Sequence, residues 1–143
     1  MFLSRQADYA MRLVLDLAIG GEGSIREVAR RQSLSPAYVG RISQSLARAG
    51  LVRSQRGRLG HLALTRSPEQ ITMLDVIEAV DGPIRVDRCL LAPGECGREL
   101  SCPAYPVGQD ITSYAVDRMG SITVADLCWD GPRAKKPARQ RPR

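Results

Sequence analysis

The segment SIREVARRQSLSPAYVGRISQSLARAG, residues 24–50, holds two helix starts, one tight turn and one helix stop. Ser24 and Glu27 have capping-box spacing: the hydroxyl accepts from the backbone three residues on, and the carboxylate reaches back. The short helix behind them, IREVARRQ, carries Ile25, Val28 and Ala29 on one face. SLSP then makes a turn, with Ser35 as N-cap and Pro36 at the first helical position, where a missing N–H costs nothing. The next helix aligns Val39, Ile42, Leu46 and Ala49 in one stripe, and Gly50 stops it. Leu51–Ser54 and Leu62–Thr65 follow as short strands, and QRGRLGH between them is a glycine-containing hairpin tip. Helix, turn, helix and hairpin in that order describe a winged helix-turn-helix, a mainly α fold with a small β wing.

The polar residues on this frame suit DNA. The apolar stripe of the second helix leaves Ala37, Tyr38, Arg41, Gln44 and Arg48 facing outward. Recognition helices meet base edges with their N-terminal turns, which nominates Ser35, Ala37, Tyr38 and Arg41. Arg41 can donate two hydrogen bonds to guanine, and Gln44 can pair in the same way with adenine. Arg26, Arg30 and Arg48 suit phosphates, which position a protein without reading sequence. The hairpin carries Arg53, Arg56, Arg58 and His61. Arg56 and Arg58 are placed for insertion into a narrow minor groove, and His61 for a surface or phosphate role rather than a metal. The competing reading is a helical protein-interaction module with an incidental arginine face.

Charge favours the first reading. Residues 1–66 hold eleven arginines against four acids, and residues 67–130 hold four arginines against eleven acids. The tail, 131–143, adds four arginines and two lysines. A basic module joined to an acidic one points the basic half at a polyanion.

Outward from the core motif, SRQADYAMRLVLDLAI (4–19) reads as a helix capped by Ser4, with Ala7, Ala10, Val14, Leu17 and Ala18 at helical spacing and GGEG ending it. Ser67-Pro68-Glu69-Gln70 reads as a further capped start, followed by a helix burying Ile71, Leu74, Ile77 and Val80 and closed by Gly82. Residues 83–103 show no period and read as a loop. Pro106–Met119 reads as a helix with Val107, Ile111, Tyr114 and Ala115 along one side, and Ile122–Leu127 as a last short turn. The tail has no apolar residue beyond alanine and reads as disordered. This organises the chain as 1–82 winged helix-turn-helix, 83–103 cysteine loop, 104–130 terminal helix and turn, and 131–143 basic tail.

A chain of 143 residues can build an ordinary core without disulfide staples. Arg5, Asp8, Arg12 and Asp16 interrupt every apolar run near the start, so no signal peptide is expected, and no apolar run is long enough for a membrane helix. A cytoplasmic protein with reduced thiols is expected. With one histidine and no convergent acid–base set, an enzyme is not.

Three of the four cysteines, Cys89, Cys96 and Cys102, lie in CLLAPGECGRELSC (89–102). Their wide spacing departs from the C-x2-C pairs of structural zinc. It suits a polynuclear centre wrapped by a loop, and thiolates are the usual ligands of iron–sulfur clusters. Pro93, Gly94 and Gly97 let the chain bend, and Arg88 and Arg98 can offset negative charge. A redox thiol switch and three unpaired cysteines fit the spacing equally. Cys128, beside Trp129, falls outside the trio.

LSRQADYAMRLVLDLA, SIREVARRQSLSPAYVGRISQSLARAGLVRSQRG, SPEQITMLDVIEAVDGP and the three-cysteine loop resemble the iron–sulfur regulators of the NsrR and IscR family, across about residues 2–128. The resemblance implies a homodimeric transcription factor, with a repressor as the expected kind, that binds a promoter operator in double-stranded DNA. Its affinity would follow the state of a cluster sensing redox change, nitric oxide or iron. The terminal helix would pair with its twin, placing two recognition helices about one DNA turn apart. Cys89, Cys96 and Cys102 match the family's cluster cysteines. IscR-like members use a histidine shortly after the third cysteine, where this chain has Tyr105. NsrR-like members use an aspartate of the first helix, from the other subunit, and Asp8 stands at that place. Glu95 and Glu99 are the fallback ligands. By the same analogy 4Fe–4S is favoured, with 2Fe–2S the alternative. GRLGH is shorter in glycine than the family's usual wing. A cluster-free thiol- or zinc-switched repressor and an iron–sulfur electron carrier are the rivals, and the basic first half argues against the carrier.

Overall fold

Ser4 starts the first helix as expected, its hydroxyl accepting the Ala7 N–H at 3.1 Å. Helix α1 runs Arg5–Gly20 and buries Ala7, Ala10, Leu13, Val14 and Leu17. The chain, a computed structural model, describes residues 4–55, 61–85 and 101–128. Helices α2 (Ile25–Gln32) and α3 (Pro36–Arg48) follow, separated by a three-residue turn. Ser24 and Glu27 form the full capping box, with Ser24 N–H to Glu27 Oε2 at 2.7 Å and Glu27 N–H to Ser24 Oγ at 3.2 Å. Ser33 ends α2 in the left-handed region, φ 54°. Its N–H and that of Leu34 return to the last carbonyls of α2, which turns the chain sharply into α3.

The expected two-stranded hairpin is a three-stranded antiparallel sheet in the order β1-β3-β2. Strands β2 (Val52–Gln55) and β3 (His61–Leu64) pair Val52 with Leu64 at the base and Gln55 with His61 toward the tip. The added strand β1, Gly23–Ser24, pairs with Leu62 and His61. GGEG therefore does more than end α1, because its last glycine enters a sheet. Gly23 also lets a side chain pass: a Cβ there would stand 3.1 Å from the Arg31 guanidinium.

Past the wing, Pro68–Gln70 forms one 3-10 turn, without the Ser67 side-chain cap expected of a helix start. The helix begins later. Helix α4 is Met73–Asp81, capped by Thr72 and Asp75 in a second box and closed by Gly82 at φ 77°. Ile71 is buried in extended chain ahead of it. The delay has a tertiary cause. Val124 N–H bonds the Ile71 carbonyl and Met73 N–H bonds the Ile122 carbonyl, both at 2.8 Å, around a Thr72–Thr123 bridge. Helix α5 spans Ala104–Gly120 and α6 spans Val124–Leu127, capped by a third box from Thr123 and Asp126.

The core lies where α1, α3, α4 and the sheet meet: Leu13, Val14, Ile42, Leu46, Leu62 and Val76 are at most 1% exposed. Its composition differs from the expected stripes in small ways. Leu13 belongs to it, while Ala18, Leu74 and Val80 are half-buried and Ala49 is exposed. No buried side-chain nitrogen or oxygen among the described residues lacks a hydrogen-bond partner.

Candidate nucleic-acid interface and cysteine site

Four of the five outward positions on α3 behave as the stripe predicts. Arg41, Gln44 and Arg48 are exposed, as is Ala37 in the first turn. Arg41 and Gln44 make no side-chain hydrogen bond among the described residues, so their donors are free for a ligand. Arg48 is steadied by a 3.1 Å bond from its Nη2 to Ser45 Oγ, one turn back. The Ser35 hydroxyl is committed to the cap, accepting the Tyr38 N–H at 3.3 Å. That bond fixes the turn presenting Ala37 and Arg41. Arg26 and Arg30 are exposed on α2. Arg53, on β2, is more than half exposed and 3.9 Å from Glu22, a loose surface pair of little energetic weight. His61 is exposed on β3. Arg56 and Arg58 lie outside the described residues.

Tyr38 departs from the outward reading. It is half-buried, and its ring meets that of Tyr9 edge-on, with centroids 5.5 Å apart and planes at 90°. The guanidinium of Arg12 lies 5.4 Å from the Tyr9 centroid. It also donates to Gln32, through Nη2 to the carbonyl at 2.7 Å and Nε to Oε1 at 3.2 Å. Tyr9 and Arg12 thus join α1 to the recognition helix and to the end of α2. Sequence reading missed both; their i, i+3 spacing on the polar side of α1 was the available signal. Arg31, also on α2, is not free for phosphate. It holds Asp16 through both carboxylate oxygens at 2.7–3.0 Å, and this bonding raises its already high pKa. Gln32 Nε2 adds a third donor to Asp16 at 2.9 Å.

Asp8 precedes Tyr9 in the first turn of α1. It is exposed, and among the described residues its carboxylate takes no hydrogen bond or ion pair. With Arg12, Leu15 and Ile19 it forms one outer stripe of α1 at helical spacing, and the last three also line an open groove of about 580 Å³ against α2. Cys102 is a half-buried free thiol just ahead of α5, its carbonyl accepting the Tyr105 N–H at 3.1 Å. The amino end of a helix favours a nearby anionic group. Cys89, Cys96, Glu95 and Glu99 lie outside the described residues. Soft sulfur donors with one hard carboxylate suit an iron–sulfur centre, and Cys102 and Asp8 are both unspent among the described residues. Cys128 is half-buried beside the core, and burial, then the Glu69 carboxylate, push its thiol pKa up. This is the profile of a packed thiol rather than a reactive one.

α5 presents two faces. Gly108 and Ala115 are buried, while Val107, Ile111 and Tyr114 are 55%, 43% and 72% exposed. The exposed trio recurs at i, i+4 and i+7, an apolar stripe that the described residues leave uncovered.

A capped recognition helix with free Arg and Gln donors beside a basic wing defines a winged-helix DNA-binding protein. The family model of Rrf2, iron-dependent transcriptional regulator, matches residues 3–130, so the chain belongs to the Rrf2 family of transcriptional regulators. It is similar to the HTH-type transcriptional regulator IscR of Vibrio vulnificus, 29% identical over 133 residues, covering 91% of this chain and 79% of that one. Among solved structures it resembles T. potens IscR (28% identity, TM-score 0.66, 89% and 85% of the two chains). It also resembles CymR of B. subtilis, described as a global cysteine regulator (28% identity, TM-score 0.66, 90% and 96%). The expected fold class and family resemblance hold, with the sheet and the start of α4 corrected as above.

Proposed function

We propose that the protein is a homodimeric promoter-binding regulator, most simply a repressor, whose operator affinity follows the state of an iron–sulfur cluster held by Cys89, Cys96, Cys102 and Asp8. Residues 1–82 read DNA, 83–103 with Asp8 hold the cluster, and 104–130 join the subunits. Arg41 and Gln44 contact base edges, with Ser35, Ala37 and Tyr38 shaping that turn. Arg26, Arg48 and Arg53 hold phosphates, and Arg56 and Arg58 enter the minor groove. The reading places the protein in the cytoplasm with its DNA, and assigns it no catalysis.

One observation carries this reading: Asp8 is exposed and unpaired among the described residues, and the adjacent residue Tyr9 packs on Tyr38 of the recognition helix. A constraint applied to the first turn of α1 therefore acts two side chains from the DNA-reading surface. The cluster would supply chemistry that oxidant, nitric oxide or iron loss can alter, and carboxylate ligation would leave one iron more labile than thiolate would. The absence of a histidine at Tyr105 favours Asp8, and with it 4Fe–4S over 2Fe–2S. The exposed stripe of α5 supports the dimer, because an apolar stripe of this kind gains by covering itself. A coupling of about 1–3 kcal/mol between ligand state and DNA would change affinity roughly 5- to 150-fold.

The likeness to CymR supports a second reading, a regulator of the same fold whose cysteines switch without a cluster. Anaerobic purification separates the two, since a brown protein with visible absorbance is expected and colourless, iron-free material after reconstitution overturns the cluster. The functional test compares anaerobic holo- and apo-protein on one promoter fragment, where equal affinities end the sensor reading. Asp8→Ala should shorten cluster lifetime, and an unchanged spectrum and lifetime would move the fourth ligand elsewhere.

A further inference from the structure

Asp81 is the last residue of α4. The carboxyl end of a helix carries partial negative charge, so nothing in α4 itself favours an acid there. Its partner stands 77 positions away. Both donors of Ser4 converge on the carboxylate, the hydroxyl on Oδ1 at 2.5 Å and the backbone N–H on Oδ2 at 3.3 Å. The acceptors of Ser4 are spent the other way, on α1. Its Oγ takes the Ala7 N–H at 3.1 Å, and its carbonyl takes the Asp8 N–H at 3.1 Å. Asp81 is thus clamped to the residue that caps α1, at the helix end that favours negative charge. Hydrogen bonds to an ionised acceptor are roughly twice as strong as neutral ones.

The two sides of this clamp lead to the two parts of the proposed switch. α4 is pinned at its start, where the Met73 N–H meets the Ile122 carbonyl and Thr72 pairs with Thr123. Its other end is tied to Ser4, and Gly82, at φ 77°, then turns the chain out of α4 toward the segment assigned the cluster. On the α1 side, the clamped turn carries Asp8, the assigned carboxylate ligand. Next to it is Tyr9, whose ring meets Tyr38 of α3.

We propose that Asp81 is a positioning residue of the switch: clamped on Ser4, it makes the exit of α4 and the first turn of α1 move as one unit, and so passes the state of the cysteine segment to Tyr9 and the recognition helix within a single subunit. The proposal rests on the cluster-switch reading and deepens it. Ligation would constrain the turn through Asp8, and the clamp constrains it from the exit of α4. The competing role for Asp81 is that of a helix cap and nothing more.

The experiment compares the full-length parent with Asp81→Ala, Asp81→Asn, Glu78→Ala and the pair S4D/D81N. Asp81→Asn keeps one acceptor oxygen, and carries the test should Asp81→Ala fail to fold. Glu78→Ala removes the same charge from an exposed position of the same helix. The pair keeps a capping oxygen at position 4 and reverses the clamp, with an amide donating where the carboxylate accepted. The first readout is hydrogen exchange at the Ala7 and Asp8 amides of cluster-free protein. Asp81→Ala is expected to speed it about fivefold, the equivalent of one net hydrogen bond, and Glu78→Ala to leave it unchanged. The second is the ratio of affinities of anaerobic holo- and apo-protein for a promoter fragment that the parent binds. Asp81→Ala should shrink that ratio at least about fivefold. Asp81→Asn should shrink it less, Glu78→Ala should leave it, and the pair should bring it back toward the parent's. Exchange that ignores Asp81 overturns the clamp. Faster exchange with the parent's affinity ratio overturns the positioning role and leaves a helix cap. An equal fall in Glu78→Ala overturns it as well, in favour of bulk charge. All three leave the sensor reading standing, whereas equal holo and apo affinities in the parent remove that reading and this proposal together.

Discussion

α1 and α5 are nearly equal in length, 16 and 17 residues, yet they spend their apolar side chains differently. α1 buries Ala7, Ala10, Leu13, Val14 and Leu17 in its own subunit, whereas α5 buries Gly108 and Ala115 and turns Val107, Ile111 and Tyr114 outward. Burial stabilises in proportion to the apolar area removed from water, so α1 holds the fold. α5 gains less among the described residues, and its exposed stripe is the surface that the proposed dimer would cover. The polar sides differ too. α1 sets Tyr9 against Tyr38 of the recognition helix and Arg12 against Gln32 of α2, which makes it both a core element and the lever of the proposed switch.

Truncation of the core side should have the largest effect. Leu13→Ala is expected to cost about 2–5 kcal/mol in a denaturant melt, because the residue is 1% exposed and leaves a cavity. Next comes the outward side of α5. Ile111→Asp should leave the monomer within about 0.5 kcal/mol of the parent and raise the dimer dissociation constant at least about tenfold, or about 1.4 kcal/mol, in sedimentation. A monomer that unfolds instead would erase the distinction between the helices. Smaller again is the contact that links α1 to α3. A double-mutant cycle of Tyr9→Leu and Tyr38→Leu should return about 0.5–1.5 kcal/mol of coupling; zero would show that the two rings touch without communicating.

The smallest expected effect concerns pH and divides the acid response between the two halves. In the DNA-reading half, the Ser24 N–H and then its hydroxyl hold the Glu27 carboxyl below its ordinary value of 4.5. In the other half, Thr123 does the same for Asp126, below 3.8. A depressed carboxylate contributes stability that is present above its unfolded pKa and lost as pH falls through the folded one. The melting temperature should therefore decline from about pH 5 downward. Glu27→Gln keeps an acceptor for the capping box and should flatten part of that decline. A parallel curve would assign the acid response to the second half.

Helix caps, the tight turn and the α3 stripe were legible in the sequence because they obey rules acting over three or four residues. Ser4, Ser24 and Ser35 cap as their spacing predicts, and Val39, Ile42 and Leu46 face inward. Ser67 misled because a Ser-Pro-Glu-Gln string has the chemistry of a helix start, while the pull on Ile71 comes from Val124, 53 positions away. Tyr38 misled for a related reason: its place on α3 is polar by local pattern, and only the approach of α1 gives it an aromatic partner. The candidate site was nominated from residue types, Arg41 and Gln44 on α3 and three cysteines within residues 89–102, while the contact of Tyr9 with Tyr38 carried no local signal.

The order of helices, the position of the recognition turn and the division into basic and acidic halves followed from the sequence by itself, since capping, periodicity and charge are local or additive. Tertiary structure alone decided that Gly23 joins a sheet with Leu62, that α4 waits for Thr72, that Tyr9 meets Tyr38 and that α5 faces outward. Each of these depends on a partner distant in the chain, and a side chain's periodicity does not say which of several apolar neighbours will reach it first.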